Sequence, residues 1–361
     1  MRKMSLFDDV GKAPSIILHS EDYLIKNKDE VLGVFRWTDL GDVTVVRDFG
    51  LPEFIIRDVD GWLESRTPPK HREHVEELLK SCGLRTKKDI LDFAKGLTLT
   101  DTLWVTSDEA LQWQFVNLFD NEFDDTIAHI AFDGELHSVQ FSTTSPEFGT
   151  DGMLAKCWVR DSNGLVYLIK AGTEGLSNTG KEPLSEVLAH QVLTRLCYSH
   201  VTYKLSEYRG RRVSICDLMT SQKVMLLPIY KYYNFTSMTK VIKDCVADGM
   251  DNGIAQMMVF DYLSWNTDRH TGNFGVLLDA DTFALIGFAP IWDNGCSMFC
   301  YYNGTDDLDE YISRSGLHCM NLLNGVLSME SFFLAISIMS SVLLILSLTC
   351  QLLETFQRSI S

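Results

Sequence analysis

Asp268, Asn273 and Asp293 are residues of the type and order that phosphoryl transfer requires. Asn273 follows Asp268 by five positions, and Asp293 precedes Asn294-Gly295 after a hydrophobic run. In such a set the first carboxylate orients and deprotonates an attacking hydroxyl. The amide and the second carboxylate hold the magnesium ions that neutralise phosphate charge. Mg²⁺ is a hard cation, so carboxylate and amide oxygens, completed by water and phosphate, suit it. Acids, Asn and Gly also mark turns between strands, so the bare spacing says little. Arg269, His270 and the run Pro290-Ile-Trp-Asp293 between hydrophobic strands make it more specific.

Such a loop needs elements that deliver it and a second set that grips a nucleotide. The segment Gly253–Leu263 reads as an apolar helix leading into the loop, and residues 274–278 and 283–288 read as a hairpin behind it. Upstream, Leu165-Val-Tyr-Leu-Ile-Lys170 is a strand ending in a lysine, entered through an Asn163-Gly164 hairpin turn. A helix beginning near Pro183 places Glu186 in its first turn, where it can pair with Lys170. Taken singly, Lys170 is a solvated strand end and Glu186 a helix-dipole partner; their joint order raises both. Gly149, Thr150 and Gly152 lie between two strands, where glycine lets backbone amides approach phosphate. Lys223–Pro228 is a strand, and the following Ile229-Tyr-Lys-Tyr-Tyr reads as a hinge beside an adenine site.

The spacing of Asp268 and Asn273 equals that of the protein-kinase catalytic loop, and Asp293-Asn294-Gly295 stands where Asp-Phe-Gly would. The order Asp-Arg-His, instead of His-Arg-Asp, resembles the HipA-like kinases, and the phosphoinositide lipid kinases share that form. The resemblance covers roughly residues 140–300. It implies an α+β, bilobal protein-kinase-like fold: a β-rich N-lobe over 136–230 and a helical C-lobe over 231–361, preceded by an α/β extension over 1–135. It further implies ATP and Mg²⁺ as cofactors and Ser or Thr of a protein as acceptor. Asp268 would be the base, Asn273 and Asp293 the metal ligands, Lys170 the phosphate lysine and Glu186 its partner. Autophosphorylation in the glycine-bearing loop would fall on Ser142, Thr143, Thr144, Ser145 or Thr150. Arg269 and His270 are expected to anchor the loop structurally.

Composition bounds the partners. At 361 residues and 45% apolar content, the chain has material for two or three lobes. A net charge of −17 excludes the basic patches that nucleic acid or anionic membrane would need. Nine cysteines without paired Cys-x-x-Cys motifs, and no apolar signal core at the start, fit reduced thiols in a cytoplasm. Within the extension, Ser15–Leu18, Val31–Trp37, Val43–Val46 and Phe54–Ile56 read as strands or loop edges. Residues 75–82 and 87–95 read as helices. The extension is either a docking module for a partner protein or a packing addition. Residues 331–353 carry no charge over 23 positions. They read as a buried C-lobe helix, with a membrane anchor or an altered tail as alternatives. Two other functions stay open: a nucleotide-binding pseudokinase, and a small-molecule or lipid kinase.

Overall fold

The computed structural model describes residues 19, 21–38, 41–136, 145–174 and 180–302. The strands expected at 15–18 and 139–143, the candidate acceptors Ser142, Thr143 and Thr144, and the apolar run 331–353 lie outside the described residues. Among the described residues no helix is long and apolar enough to cross a membrane. The architecture is mixed α/β, with three antiparallel sheets.

The first sheet has the order β3-β2-β1-β4, from β1 (Asp22–Asn27), β2 (Glu30–Trp37), β3 (Val43–Asp48) and β4 (Leu103–Thr106). Strand β1 is buried along its whole length although Asp22, Lys26 and Asn27 interrupt its apolar pattern. Each polar side chain is satisfied at a distance: Asp22 by Arg36 at 2.7 Å, Lys26 by the Leu111 carbonyl at 2.9 Å, and Asn27 by the Ala280 carbonyl at 2.7 Å. The segment expected as a strand at 54–56 is instead the short helix α1 (Glu53–Ile56). Pro52 at its N-cap presets a helical start, and Ile55 is buried in the core. Helices α2 (Val59–Glu64), α3 (Val75–Ser81), α4 (Lys87–Ala94) and α5 (Asp125–Asp133) complete this part. Thr86 and Asp89 form a reciprocal capping box that starts α4 at the expected place.

The second sheet, ordered β5-β6-β8-β7, comprises β5 (Lys156–Arg160), β6 (Val166–Ala171), β7 (Tyr203–Tyr208) and β8 (Arg211–Asp217). Asp161 closes the expected β5–β6 turn by accepting from the Asn163 and Leu165 amides. Helix α6 (Glu182–Leu196) crosses between β6 and β7, with Pro183 in its first turn.

The third sheet pairs β9 (Val224–Pro228) with β10 (Gly275–Asp279), and β10 with β11 (Leu285–Phe288). Strand β9 therefore bonds to the hairpin that follows the candidate catalytic loop, and not to β8. Between β9 and β10 run α7 (Ile229–Tyr232), α8 (Met238–Ala247) and α9 (Asp251–Ser264).

One apolar cluster joins the first sheet to this last part: Tyr23, Ile25 and Phe35 share it with Met257, Phe260, Val276 and Leu278. Each fully buried side chain of that size contributes roughly 1.5–3 kcal/mol. The first sheet and the α9–β10 region therefore stabilise one another, and exposing either face would cost several such terms.

Candidate functional site

Helix α9 ends at Trp265, whose left-handed backbone (φ 57°) turns the chain out of the helix and into the loop 266–273. Arg269 lies at the centre of this loop, and its guanidinium is buried. It donates to both Asp261 carboxylate oxygens, at 2.9 and 3.0 Å. Its other donors reach the carbonyls of Asn273 and Trp292 and the Asn294 side chain, each at 2.6 Å. One planar cation thus ties helix α9, the loop and the segment carrying Asp293 together, a geometry for which an ammonium has too few fixed donors. The expected anchoring role of Arg269 is what its contacts describe. His270 is exposed, and its ring accepts from the nearby Gly272 amide at 3.1 Å.

Asp268 projects from this loop. Although it is exposed, the surrounding protein partly desolvates its carboxyl and pushes it above the usual range, an effect partly offset by His270 and reinforced by Asp293. A raised carboxyl is a stronger base once ionised, which suits proton abstraction. The Cys296 thiol lies 3.8 Å from its Oδ2. Asn273 donates its amide nitrogen to the Asp268 carbonyl at 3.0 Å. That bond commits the nitrogen and leaves Oδ1 as the atom with which Asn273 could ligate a cation.

Lys170, near the end of β6, is brought to its expected partner Glu186 and also to Asp293. Its Nζ is 2.9 Å from Glu186 Oε1 and 2.8 Å from Asp293 Oδ1. Burial works against the ammonium, but Asp293 and Glu186 outweigh it and hold Lys170 well above its ordinary value. The two carboxylates compete for this one cation. Burial is outweighed at Asp293 by Lys170 and Lys156, which keep it well below the carboxylate range. At Glu186 burial wins over Lys170, and its carboxyl is pushed up to about 7. Among the described residues its Oε2 is buried without a hydrogen bond. Glu186 occupies the second turn of α6, since the helix begins at Glu182. The Asp293 side chain is still 37% exposed. Its backbone is left-handed (φ 56°), and its amide donates to the Tyr203 hydroxyl at 3.2 Å.

The glycine-bearing segment is arranged differently from the expectation. Residues Pro146–Gly149 form a 3₁₀ turn. A Cβ on Gly149 would meet the Leu97 carbonyl at 2.5 Å and the Thr98 side chain at 2.6 Å. Glycine is thus needed there for close packing against the N-terminal part. Thr150 is buried; its hydroxyl donates to the Pro146 carbonyl at 2.7 Å and accepts from the Trp158 indole at 2.8 Å. Ser145 is buried too. Gly152 has φ 95°, and its missing Cβ makes room for the Lys156 ammonium.

Three residues that the sequence reading did not single out shape this segment. Arg72 donates to the Glu147 carboxylate at 2.8 Å, to the Lys156 carbonyl at 2.9 Å and to the Glu147 carbonyl. Glu147 is completely buried, and its other carboxylate oxygen accepts from the Trp158 amide at 2.8 Å. Glu73 accepts from the Ala155 amide at 3.2 Å. The adjacent Arg72 and Glu73 therefore clamp the loop that leads into β5, and only a contact map could have revealed it.

The donor set is compatible with magnesium. Asn273 and Asp293 offer one amide and one carboxylate oxygen, and the surrounding cations keep Asp293 ionised. Among the described residues no three His, Cys, Asp or Glu side chains gather as a metal site. Mg²⁺ held largely by phosphate and water does not require such a group.

No protein-family model matches the chain, nor does any curated protein. Among solved structures it is similar to the Helicobacter pylori proinflammatory kinase CtkA. Identity is 20% over 46% of this chain and 62% of that one, with a TM-score of 0.36. It is also similar to HipA from the Shewanella oneidensis MR-1 toxin–antitoxin complex with HipB and operator DNA. There identity is 9% over 75% of each chain, with a TM-score of 0.48. The chemistry has to come from the site's own residues.

Proposed function

We propose that the chain is an ATP- and Mg²⁺-dependent phosphotransferase of HipA-like type that acts on a hydroxyl of protein Ser or Thr. The observation that carries this reading is the convergence on the Lys170 ammonium, within 2.9 Å, of Glu186 from helix α6 and of Asp293 from the segment after β11, 123 residues further along the chain. In this reading the second sheet and α6 form an N-lobe over 136–230. The segment from 231 onward forms a C-lobe, with the hinge at Ile229–Tyr233. Residues 1–135 would brace the N-lobe loop and could carry a partner protein.

The geometry supports the following division of labour. Magnesium, when bound at Asn273 and Asp293, would supply charge neutralisation to the phosphates. Lys170, aligned by Glu186, would hold phosphate oxygens. Asp268 would accept the hydroxyl proton as that oxygen forms a bond to the terminal phosphorus and the bond to the leaving phosphate oxygen breaks. Arg269 holds the base and the metal-side residues at fixed separation without touching either substrate.

The test is transfer of ³²P from γ-labelled ATP with Mg²⁺, comparing the wild type with Asp268→Ala and Asp293→Ala. Label on protein in the wild type, lost in both variants, is the expected result. Equal labelling of all three would overturn the site. Nucleotide binding without transfer, unchanged by Asp268→Ala, would make the chain a nucleotide-binding protein.

A further inference from the structure

Lys156 and Lys170 are direct partners across the antiparallel strands β5 and β6. Directly opposed residues project from the same face of a sheet, so two cationic stems lie side by side, and both are buried, at 5% and 8% exposure. Like charges so placed destabilise a sheet unless an anion lies between them. The supply of anions is uneven. Lys170 holds two carboxylates, whereas the Lys156 ammonium bonds to the Asp151 carbonyl at 2.8 Å. A carbonyl satisfies a donor but neutralises no charge, so Lys156 has only the unbonded carboxylates of Asp293 and Asp151 to offset its burial, and an imperfectly paired buried cation is costly. Asp293 feels both lysines, yet its hydrogen bond goes to Lys170.

The surroundings of Lys156 are those of a ligand-facing group. Its ammonium occupies the space beneath Gly152, 2.2 Å from where a Cβ would stand, so any other residue at 152 would displace it. The loop that carries the Asp151 carbonyl is fixed from behind by Arg72 through Glu147 and the Lys156 carbonyl. The lysine backbone is therefore held while its ammonium rests on an exchangeable acceptor.

We propose that Lys156 is a second phosphate-binding cation, which leaves the Asp151 carbonyl for a phosphate oxygen and, with Lys170, grips the polyphosphate of a bound nucleotide. This rests on the kinase reading and adds to it a residue and a ligand class: a polyphosphate rather than the nucleoside. The lysine is poised for such an exchange, since burial, aided by Lys170, brings its ammonium down to about 8, and an incoming anion would restore the charge.

The experiment measures binding of the Mg²⁺ complex of a non-hydrolysable ATP analogue, and of adenosine, to the full chain. Wild type, Lys156→Met and Lys156→Arg are compared by calorimetry. The analogue should bind Lys156→Met at least tenfold more weakly than wild type, Lys156→Arg should recover most of that loss, and adenosine should bind all three alike. A wild type that binds the analogue no better than Lys156→Met overturns the inference and leaves the kinase reading standing. A wild type that binds no nucleotide overturns both. Should Lys156→Met fail to fold, amine-reactive labelling of the wild type, read by mass spectrometry, decides the matter. Protection of Lys156 by the analogue and not by adenosine supports the proposal, and equal labelling in both overturns it.

Discussion

Two loops form the candidate site, and each is held by one buried arginine, but the arginines work over different distances in the chain. Arg269 pairs with Asp261, eight residues away, and with carbonyls of its own loop and of the Asp293 segment. Arg72 pairs with Glu147, 75 residues away, and holds a loop to which it has no sequence proximity. Both guanidiniums satisfy carboxylate and carbonyl acceptors together, and both pairs are almost completely buried. The local clamp was legible as Asp-Arg-His next to a helix end. The distant clamp was not legible at all. Rigidity at a site therefore does not have to arise where the catalytic residues are written.

The sharpest way to break this comparison is to remove each arginine. Arg269→Ala leaves Asp261 charged in a dry environment and frees three further acceptors at once. It should cost about 3–5 kcal/mol of stability and abolish transfer, as seen in denaturant unfolding and ³²P incorporation. Arg269→Lys should recover little, because one ammonium cannot replace the fork. Retention of stability and activity in Arg269→Ala would show that the loop holds itself.

Arg72→Ala strands Glu147 and should cost a similar amount, about 3–5 kcal/mol. The double variant Arg72→Met with Glu147→Leu should recover most of this stability, since replacing a buried pair by apolar groups is often neutral. Its affinity for the ATP analogue should nevertheless remain several-fold weaker than that of wild type, because the Lys156 carbonyl has lost its anchor. Full affinity in the double variant would reduce Arg72 to a packing residue.

The smallest effect concerns pH. Glu186 is pushed up to about 7, so below that pH it is protonated and no longer an ionic partner of Lys170. Transfer by the wild type should fall as pH drops through about 7 and at pH 6 approach that of Glu186→Gln, which mimics the protonated form. Above pH 7.5 the wild type should exceed the variant several-fold. The stability linkage runs the other way. A carboxyl whose folded value is raised binds more protons in the folded state, so its contribution declines as pH rises from about 4.5 to 7. Parallel pH profiles for the two proteins would remove Glu186 from the ionic set.

Much of the site could be read from the chain because its residues sit at element ends with strong local signals. Lys170 closes an apolar strand after an Asn-Gly turn, Glu186 follows a helix-starting proline, and Asp268 follows an apolar helix. Elsewhere local signals misled. Phe54–Ile56 has the composition of a strand but follows Pro52 and folds as helix α1. Strand β1 was passed over because Asp22, Lys26 and Asn27 look like surface residues until their distant partners are known. Gly149 and Gly152 look alike in sequence, yet one packs against Leu97 and Thr98 and the other shelters Lys156.

The sequence by itself determined the chemical inventory and its order: a lysine, a glutamate, an aspartate, an amide and a second aspartate, with the turns and caps that expose them. Local hydrogen bonding and hydrophobic periodicity act over a few residues, and that range suffices to write such an order. Only the tertiary structure decided which charges share a cation. It made Glu186 the weaker acid of the two carboxylates at Lys170, set Lys156 opposite Lys170 with its hydrogen bond on a carbonyl, and reached across with Arg72 to fix the loop that leads into β5. Those outcomes depend on burial and on cross-strand register, quantities that exist only once distant segments have packed.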